Sequence, residues 1–310
     1  MAFLRAFGSY LPERAVDNET LAALAGCEPA WIREVSGIEQ RRFAADGEGV
    51  VEMGTAAALD CLGRAGLTPA QVGLLIVASG SAPRRFPGPA VSIAHALGIP
   101  GVPALDLPMA SAGALFGLHV AAQLAAVHGC VLVVASEKMS SVVLQEPVSK
   151  NVAILFGDGA GACLVAPDGG VAEVLAACLH SDGSYSEELR LELVGPLHMA
   201  GHTVILQASR KIPSAIAEVL VATGLAASAV EVFLLHQANR NLITRVADAV
   251  GAPVGRFYSN IARLGNTSSA SMLIAAAEWF AVNSLTKGAP AVFAAFGAGF
   301  HWGAIAVRGA

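Results

Sequence analysis

Three polar residues of this chain stand at the ends of apolar segments, where functional side chains are commonly found. His236 follows the apolar run 232–235, Asn266 lies in a Gly-containing turn, and Ser111 stands at the start of an apolar helix. Burying a polar group costs free energy, so side chains in such places usually serve a function. A Ser at a helix N-terminus lies beside backbone N–H groups that stabilise an oxyanion, and a His accepts the proton of a Ser hydroxyl. Taken alone, however, Ser111 is better explained as a helix N-cap.

An internal repeat predicts the elements that carry these residues. The segments 66–78 and 224–236 match at a constant separation of 158 (224 − 66 and 236 − 78), and the same separation relates Ser111 to Ser269. Each copy reads as helix, strand, loop, buried helix and strand, and its Val, Ile and Leu runs are typical of strands covered on both faces. The sequence therefore predicts a duplicated α/β chain whose two copies are related by a pseudo-dyad.

Composition argues against several classes of protein. Hydrophobic residues make up 55% and charged residues 14% of the chain, yet no stretch approaches the ~20 uninterrupted apolar residues of a membrane span. A net charge of −5 argues against a broad nucleic-acid surface. No signal-peptide pattern is visible, and five scattered Cys residues without CxxC spacing are typical of free thiols in a cytosolic protein. No His has metal-ligand spacing with a thiol or carboxylate, so we expect no metal.

Four segments together resemble the β-ketoacyl-acyl carrier protein synthase III family of the thiolase superfamily. They are Asp106–Gly113, His236–Asn239, Gly265–Ser269 and Gly297–Gly303. The resemblance extends over nearly the whole chain and implies a five-layer αβαβα fold of two pseudo-dyad-related halves, each with a mixed five-stranded sheet. We assign residues 1–166 to the N-terminal half, which carries the nucleophile, and residues 167–310 to the C-terminal half, which carries the His and the Asn.

The family uses a Cys, a His and an Asn, and Ser111 stands here in the position of the Cys. The resemblance implies that His236 and Asn266 donate hydrogen bonds to the enolate oxygen formed when a malonyl thioester loses carbon dioxide. It also implies that backbone N–H groups of Ser111 and Gly299 form the oxyanion hole. A helix N-terminus lowers the pKa of a Cys toward neutrality but does not ionise a Ser hydroxyl, so Ser111 needs His236 as a general base. We therefore expect acyl transfer from an acyl thioester through Ser111, and the retained His and Asn permit decarboxylative condensation as well.

The resemblance also implies where the substrate binds. Trp31 matches the residue that stacks on the adenine of coenzyme A, Phe86 matches the one that closes the partner's acyl pocket across a dimer interface, and Phe300 is expected to contact the substrate. Two family arginines are replaced, one by Val35 and the other by Asn241. A basic patch that fits an acidic acyl carrier protein is assigned to four residues, with scattered surface charge as the alternative. These residues are Arg240, Arg245, Arg210 and Lys211.

We expect a cytoplasmic homodimer that acts in fatty-acid or polyketide-type biosynthesis. Its substrates are thioesters of coenzyme A or of the phosphopantetheine of acyl carrier protein, and no cofactor is expected. Two alternatives stay open. The chain is either an engineered Cys-to-Ser variant of a housekeeping 3-oxoacyl-acyl carrier protein synthase III, or a non-catalytic subunit of a heterodimeric synthase. The intact pair of His236 and Asn266 argues against the second, because an inert subunit has no need for buried polar groups.

Overall fold

The computed structural model describes residues 1–310 and contains thirteen β-strands and eleven α-helices. The strands are β1 Phe3–Tyr10, β2 Ala15–Asp17, β3 Gln40–Arg42, β4 Val72–Ala78, β5 Ala104–Leu107, β6 Cys130–Glu137, β7 Gly159–Ala166, β8 Ala172–Ser181, β9 Leu189–Arg190, β10 His198–Met199, β11 Val232–Leu235, β12 Pro290–Gly297 and β13 His301–Gly309. The helices are α1 Asn18–Ala25, α2 Pro29–Ser36, α3 Val50–Ala65, α4 Pro89–Ala96, α5 Gly113–His128, α6 Ser140–Val143, α7 Lys150–Ala153, α8 Gly201–Thr223, α9 Arg240–Val250, α10 Ile261–Leu264 and α11 Ser271–Val282. None of the helices combines the length and the apolar character needed to cross a bilayer.

Nine strands form one mixed sheet in the order β11-β12-β13-β8-β1-β7-β6-β4-β5. In the first half β5 and β6 lie parallel on either side of β4, and β7 is antiparallel to both β6 and β1. The second half repeats this pattern, with β11 parallel to β12, and β13 antiparallel to both β12 and β8. The counterpart of β5 is reduced to a single bridge between Phe233 and Phe257, whose rings stack 4.3 Å apart. A stacked pair of rings thus stands where the first half has a fifth paired strand. The first half contributes five strands to the sheet and the second half contributes four.

The repeat seen in the sequence is present in three dimensions. α5 begins at Gly113 and α11 begins at Ser271, 158 residues later (271 − 113). α3 and α8 are capped by Gly66 and Gly224, which are also 158 residues apart (224 − 66). Both caps adopt the left-handed conformation, with φ of 67° and 66°, that Gly tolerates best. The boundary between the halves, proposed after residue 166, falls in the connection from β7 to β8.

The helices α5 and α11 form the central layer of the molecule. Their buried residues share one core cluster with residues of β4, β6 and β12. Small residues permit this close approach, since a Cβ on Gly117 would lie 3.0 Å from Cγ1 of Val133. α3 and α4 cover the outer face of the first half, and α8 and α9 cover that of the second. The expected five-layer αβαβα fold is therefore confirmed.

Candidate active site

The ends of the central elements line a cavity of about 290 Å³. Ser111, His236 and Asn266 all lie on its wall, although they come from three distant parts of the chain. Hydrophobic residues provide 19 of its 29 lining residues, so the cavity suits an aliphatic group held by few polar contacts. The exposed fractions of the three residues are only 9%, 7% and 6%. Hydrogen bonds made there are stronger than in water, because the surroundings have a low dielectric constant.

Ser111 is the central residue of a γ-turn and does not belong to a helix. Its φ is +63°, and the N–H of Ala112 donates to the carbonyl of Ala110 at 2.7 Å. A non-Gly residue at positive φ costs about 1–3 kcal/mol, and such strain is found mainly at functional sites. α5 begins only at Gly113, with Ala112 as its N-cap. The helix start predicted at Ser111 is thus two residues early, and the N-cap explanation of Ser111 is wrong.

A chain of hydrogen bonds connects Ser111 to Asn266 through Ser268. The N–H of Ser111 donates to Ser268 Oγ at 3.1 Å, and the N–H of Ser268 donates to Asn266 Oδ1 at 2.8 Å. Ser268, with φ of +47°, is the only other non-Gly residue at positive φ. The hydrogen bond to Oδ1 fixes the orientation of the Asn266 amide. Its Nδ2 group makes no hydrogen bond within the chain and is available to donate one in the cavity.

His236 is held at the end of β11 and is neutral at physiological pH. The backbone N–H of His236 donates to the carbonyl of Ala294. The ring Nδ1 lies 2.6 Å from Oγ of Ser271, the first residue of α11. Burial lowers the pKa of His236 to about 4, and the carbonyl of Ser268 opposes part of this shift. The Oγ of Ser111 makes no hydrogen bond within the chain, so the expected general-base contact between Ser111 and His236 is not formed in this structure.

A buried carboxylate, which the sequence analysis did not identify, supports the loops around Ser111. Glu137 at the end of β6 has no exposed surface and no cationic partner. It accepts hydrogen bonds from the N–H groups of Gly80 and Ser81 at 3.0 and 2.9 Å, and from the Oγ of Ser269 at 2.6 Å. Gly80 lies on the cavity wall, and Ser269 follows the residue that binds the N–H of Ser111. Glu137 therefore fixes both flanks of the nucleophile turn. The only sequence signal was an acidic residue that closes an apolar run.

The loop after β12 places Ala298, and not Gly299, on the cavity wall. Gly299 is not part of the cavity wall, and a Cβ at this position would lie 2.4 Å from the ring of His301. Gly297 and Ala298 line the cavity instead, and the N–H of Ala298 makes no hydrogen bond within the chain. The turn after β12 thus brings Gly299 against His301 of β13, and its role in an oxyanion hole stays a prediction.

The three predicted aromatic contacts have different outcomes. Trp31 lines the cavity, and the ammonium group of Lys150 lies 5.6 Å from the centre of its ring. Phe300 is fully buried behind the wall and packs on Phe296, which itself lines the cavity, so the predicted substrate contact of Phe300 is wrong. Phe86 is 85% exposed and lies on a loop outside the cavity. Its role at a dimer interface stays a prediction.

The four basic residues lie on the neighbouring helices α8 and α9, and three of them are exposed. Arg240 and Arg245 are exposed on α9, as is Arg210 on α8. The Nζ of Lys211 lies 3.7 Å from the ring centre of Trp302 and 3.6 Å from a carboxylate oxygen of Asp182. Lys211 is therefore already engaged within the chain, and the carrier-protein patch stays a prediction.

The two positions at which family arginines are replaced lie side by side near Trp31. The side-chain amide of Asn241, in the first turn of α9, donates to the carbonyls of Glu34 and Val35 at the end of α2. Asn239 donates to the same carbonyl of Val35 at 2.8 Å. At the two positions where the family resemblance implies arginines, this chain therefore has neutral contacts between α2 and α9 near the cavity.

One cluster of residues with metal-binding side chains lies outside the cavity. Cys178 and His180 on β8 and Glu218 on α8 place their ligand atoms within 4.8 Å of one another. The His180 Nε2 and Glu218 Oε2 atoms are 2.8 Å apart, and the thiol of Cys178 donates to the carbonyl of Ala215. Burial raises the pKa of Cys178 to about 11, so the thiol is protonated at neutral pH. The cluster cannot be recognised from residue spacing in the sequence, because Glu218 comes from a distant helix.

Comparisons with known proteins agree with this fold. Residues 105–183 match the family described as 3-oxoacyl-[acyl-carrier-protein (ACP)] synthase III, and residues 220–309 match its C-terminal region. The β-ketoacyl-[acyl-carrier-protein] synthase III of Oleidesulfovibrio alaskensis is 33% identical over 327 residues, with 99% of this chain and 98% of the relative covered. The corresponding protein of Shigella dysenteriae is 36% identical over 312 residues, with 97% of each chain covered.

Solved structures are equally similar. The 3-oxoacyl-[acyl-carrier-protein] synthase III of Aquifex aeolicus superposes with a TM-score of 0.94 at 31% identity, with 99% of this chain and 100% of that chain covered. The priming β-ketosynthase of the R1128 polyketide pathway gives a TM-score of 0.92 at 31% identity, with 99% and 96% covered. Full-length identity above 30% and a shared fold lead to one conclusion: this chain belongs to the 3-oxoacyl-[acyl-carrier-protein] synthase III family of the thiolase superfamily.

Proposed function

We propose that this protein is a ketosynthase that takes an acyl group from a thioester and condenses it with a malonyl thioester. The observation that carries the proposal is the pair of hydrogen-bond donors on one apolar cavity wall. Asn266 has its Nδ2 free, because Ser268 occupies its Oδ1, and the buried ring of His236 is neutral. Two neutral donors on one cavity wall suit the charge that develops on an enolate oxygen when a malonyl thioester loses carbon dioxide.

The first half-reaction transfers the acyl group to Ser111. Its Oγ attacks the thioester carbonyl, the Oγ proton passes to His236, and the carbon–sulfur bond breaks as the thiol leaves with a proton. The free N–H of Ala298 is suited to hold the oxyanion, whereas the N–H of Ser111 must first leave Ser268 Oγ. A histidine with a pKa of about 4 is a weak base for a Ser hydroxyl, so we expect this half-reaction to be slow.

The second half-reaction forms the new carbon–carbon bond. A malonyl thioester loses carbon dioxide, and the electron pair of the broken bond becomes an enolate whose oxygen accepts hydrogen bonds from His236 and Asn266. The enolate carbon attacks the ester carbonyl on Ser111, the carbon–oxygen bond to Ser111 breaks, and the leaving Ser111 oxygen takes up a proton from solvent. This step requires no protein base, so the low pKa of His236 favours it.

The residues on the cavity wall indicate which acyl group and which carrier the enzyme accepts. Apolar side chains line the cavity that Ser111 also lines, among them Phe156, Leu189, Leu197 and Met199, and they fit an aliphatic acyl chain. Trp31 at the outer end of the same cavity is placed to contact the carrier of the thioester, which is coenzyme A or acyl carrier protein. The names of the relatives refer to acyl carrier protein, and we propose the same carrier for the malonyl group. Fatty-acid and polyketide priming share this chemistry.

The covalent step is tested by incubating the purified protein with acetyl-, butyryl- and octanoyl-coenzyme A and measuring its intact mass. One acyl group should be added, and peptide mapping should place it on Ser111 as an oxygen ester. Ser111→Ala is the control and should not be acylated. Acylation of a Cys, or no acylation over hours with every donor, contradicts the assignment of the nucleophile.

A further inference from the structure

Ser271 is the one side chain hydrogen-bonded to the ring of His236. Its Oγ lies 2.6 Å from His236 Nδ1, and the same Oγ accepts a hydrogen bond from the backbone N–H of Gln237 at 3.0 Å. Ser271 is 2% exposed and is the first residue of α11. Water therefore has little access to its hydroxyl, and the partners within the chain decide where the hydroxyl proton points.

Counting donors and acceptors gives the direction of this hydrogen bond. A Ser hydroxyl has one proton to donate and two lone pairs that accept. The N–H of Gln237 occupies one lone pair, and His236 Nδ1 is the only acceptor that the hydroxyl reaches. If Nδ1 itself carried the ring proton, the buried hydroxyl proton would have no acceptor, which is costly. The hydroxyl of Ser271 therefore donates to Nδ1, and the proton of the neutral ring is on Nε2.

We propose that Ser271 is a positioning residue that holds His236 as the Nε2–H tautomer, in which the ring donates hydrogen bonds to the substrate. Its catalytic consequence rests on the proposed function and deepens it. A ring with Nε2–H donates directly to an enolate oxygen but has no lone pair on Nε2 to accept the proton of Ser111. Acylation therefore requires the other tautomer, in which Nδ1–H donates to Ser271 and the hydroxyl turns away.

The two half-reactions should consequently respond to Ser271 in opposite directions. Without the hydroxyl, the Nε2–H tautomer loses the side-chain donor that favours it, so decarboxylation of a malonyl thioester should slow by about 10–100-fold, the range seen when the hydrogen-bond partner of a metal-ligating His is removed. Acylation of Ser111 should not slow, because the tautomer that it needs becomes more populated. A purely structural role for Ser271 would slow both steps together.

The tautomer itself is measured by nitrogen NMR on protein labelled with ¹⁵N-histidine. His236→Gln identifies the signals that belong to His236. The wild-type ring should show a protonated Nε2 and an unprotonated Nδ1, and this pattern should be lost in Ser271→Ala and kept in Ser271→Thr, which retains a hydroxyl. Ser136→Ala is the matched control, because Ser136 is equally buried but donates to the carbonyl of Val50 outside the cavity.

The results separate this inference from the proposed function. A protonated Nδ1 in the wild type, or an unchanged tautomer in Ser271→Ala, overturns the inference even if the enzyme condenses substrates. The expected NMR pattern in a protein that neither becomes acylated nor releases carbon dioxide supports the tautomer assignment and contradicts the proposed function. Equal slowing of acylation and decarboxylation in Ser271→Ala, with a loss of rate that Ser271→Thr does not rescue, also overturns the inference.

Discussion

The surroundings of two residues, Ser111 and His236, set the limits of the chemistry. Ser111 is held in a strained turn whose φ of +63° brings it onto the cavity wall. The turn places a nucleophile but does not ionise a hydroxyl, and the nearest base has a pKa of about 4. His236 and Asn266 are thus better prepared to stabilise an enolate than to activate Ser111. Acylation is expected to limit the rate.

Ser111→Cys should therefore increase condensation. A thiol contains a few per cent thiolate at pH 7 without a base, so we expect acyl-enzyme formation to speed up by at least about 10-fold. The measurement is the rate of mass increase with acetyl-coenzyme A, followed by product formation with malonyl-acyl carrier protein. Ser111→Ala should do neither. A Ser111→Cys variant no faster than wild type would show that activation of the nucleophile does not limit the reaction.

The low pKa of His236 also makes stability depend on pH. The pKa of this residue falls from 6.5 in the unfolded chain to about 4 in the folded one, so the unfolded state binds more protons between these values. Stability contributed by the neutral ring is complete above pH 6.5 and is lost as the pH falls toward 4. The loss amounts to about 3 kcal/mol over that range. Urea unfolding at fixed protein concentration should show it for wild type and not for His236→Gln, and equal pH dependence of the two proteins would contradict the shift.

At the level of elements, hydrogen bonds between the ends of distant strands and helices hold the site in place. Glu137 at the end of β6 binds both the loop after β4 and the segment before α11. Ser271 at the start of α11 binds the residue that follows β11. Each link joins residues far apart in the sequence, so distortion of one loop is transmitted to the nucleophile turn.

Glu137→Gln tests this arrangement. The amide has one acceptor oxygen where the carboxylate has two, and its NH₂ group faces the N–H groups of Gly80 and Ser81. We expect the free energy of unfolding to fall by about 1–3 kcal/mol, the cost of leaving buried donors unsatisfied, together with slower acylation of Ser111. Glu19→Gln, on an exposed stretch of α1, should change neither. Unchanged stability and acylation in Glu137→Gln would contradict a supporting role.

Sequence alone predicted the elements better than the details of the site. The separation of 158 anticipated the repeat, and the polar ends of apolar runs identified His236 and Asn266. The start of α5 was misplaced because Ala112 and Gly113 carry no sign of a γ-turn. Ser271 and Glu137 were missed because their roles depend on hydrogen bonds between residues 35 and 132 positions apart. A Gly-rich turn in the sequence did not reveal that Ala298, and not Gly299, lines the cavity.

At the scale of the whole molecule, one edge of the sheet has features of a subunit interface. β5 is a short edge strand on which Leu105 is 45% exposed. Asp106 in the same strand accepts a hydrogen bond from the N–H of Ala90. This hydrogen bond holds the loop that carries the exposed Phe86 against the edge of the sheet. An unpaired strand with apolar side chains beside it pairs readily with an identical strand.

We therefore predict a homodimer formed through β5. Light scattering at micromolar concentration should give twice the mass of one chain, and Leu105→Lys should shift the protein toward monomer by placing two like charges in the interface. Val127→Lys, at an exposed position near the end of α5, is the matched control and should leave the dimer intact. A stable wild-type monomer under these conditions would contradict the prediction.

The central claim is that His236 and Asn266 act together on an enolate while Ser111 holds the acyl group. It is tested most directly by measuring, in one experiment, acylation of Ser111 and release of labelled carbon dioxide from malonyl-acyl carrier protein in wild type and Asn266→Ala. Losing one donor to a developing oxyanion costs about 10²–10³ in rate. We predict that Asn266→Ala loses carbon dioxide release by this factor and keeps acylation within a few-fold of wild type. Carbon dioxide release that is absent from the wild type, or unchanged in Asn266→Ala, would contradict the account.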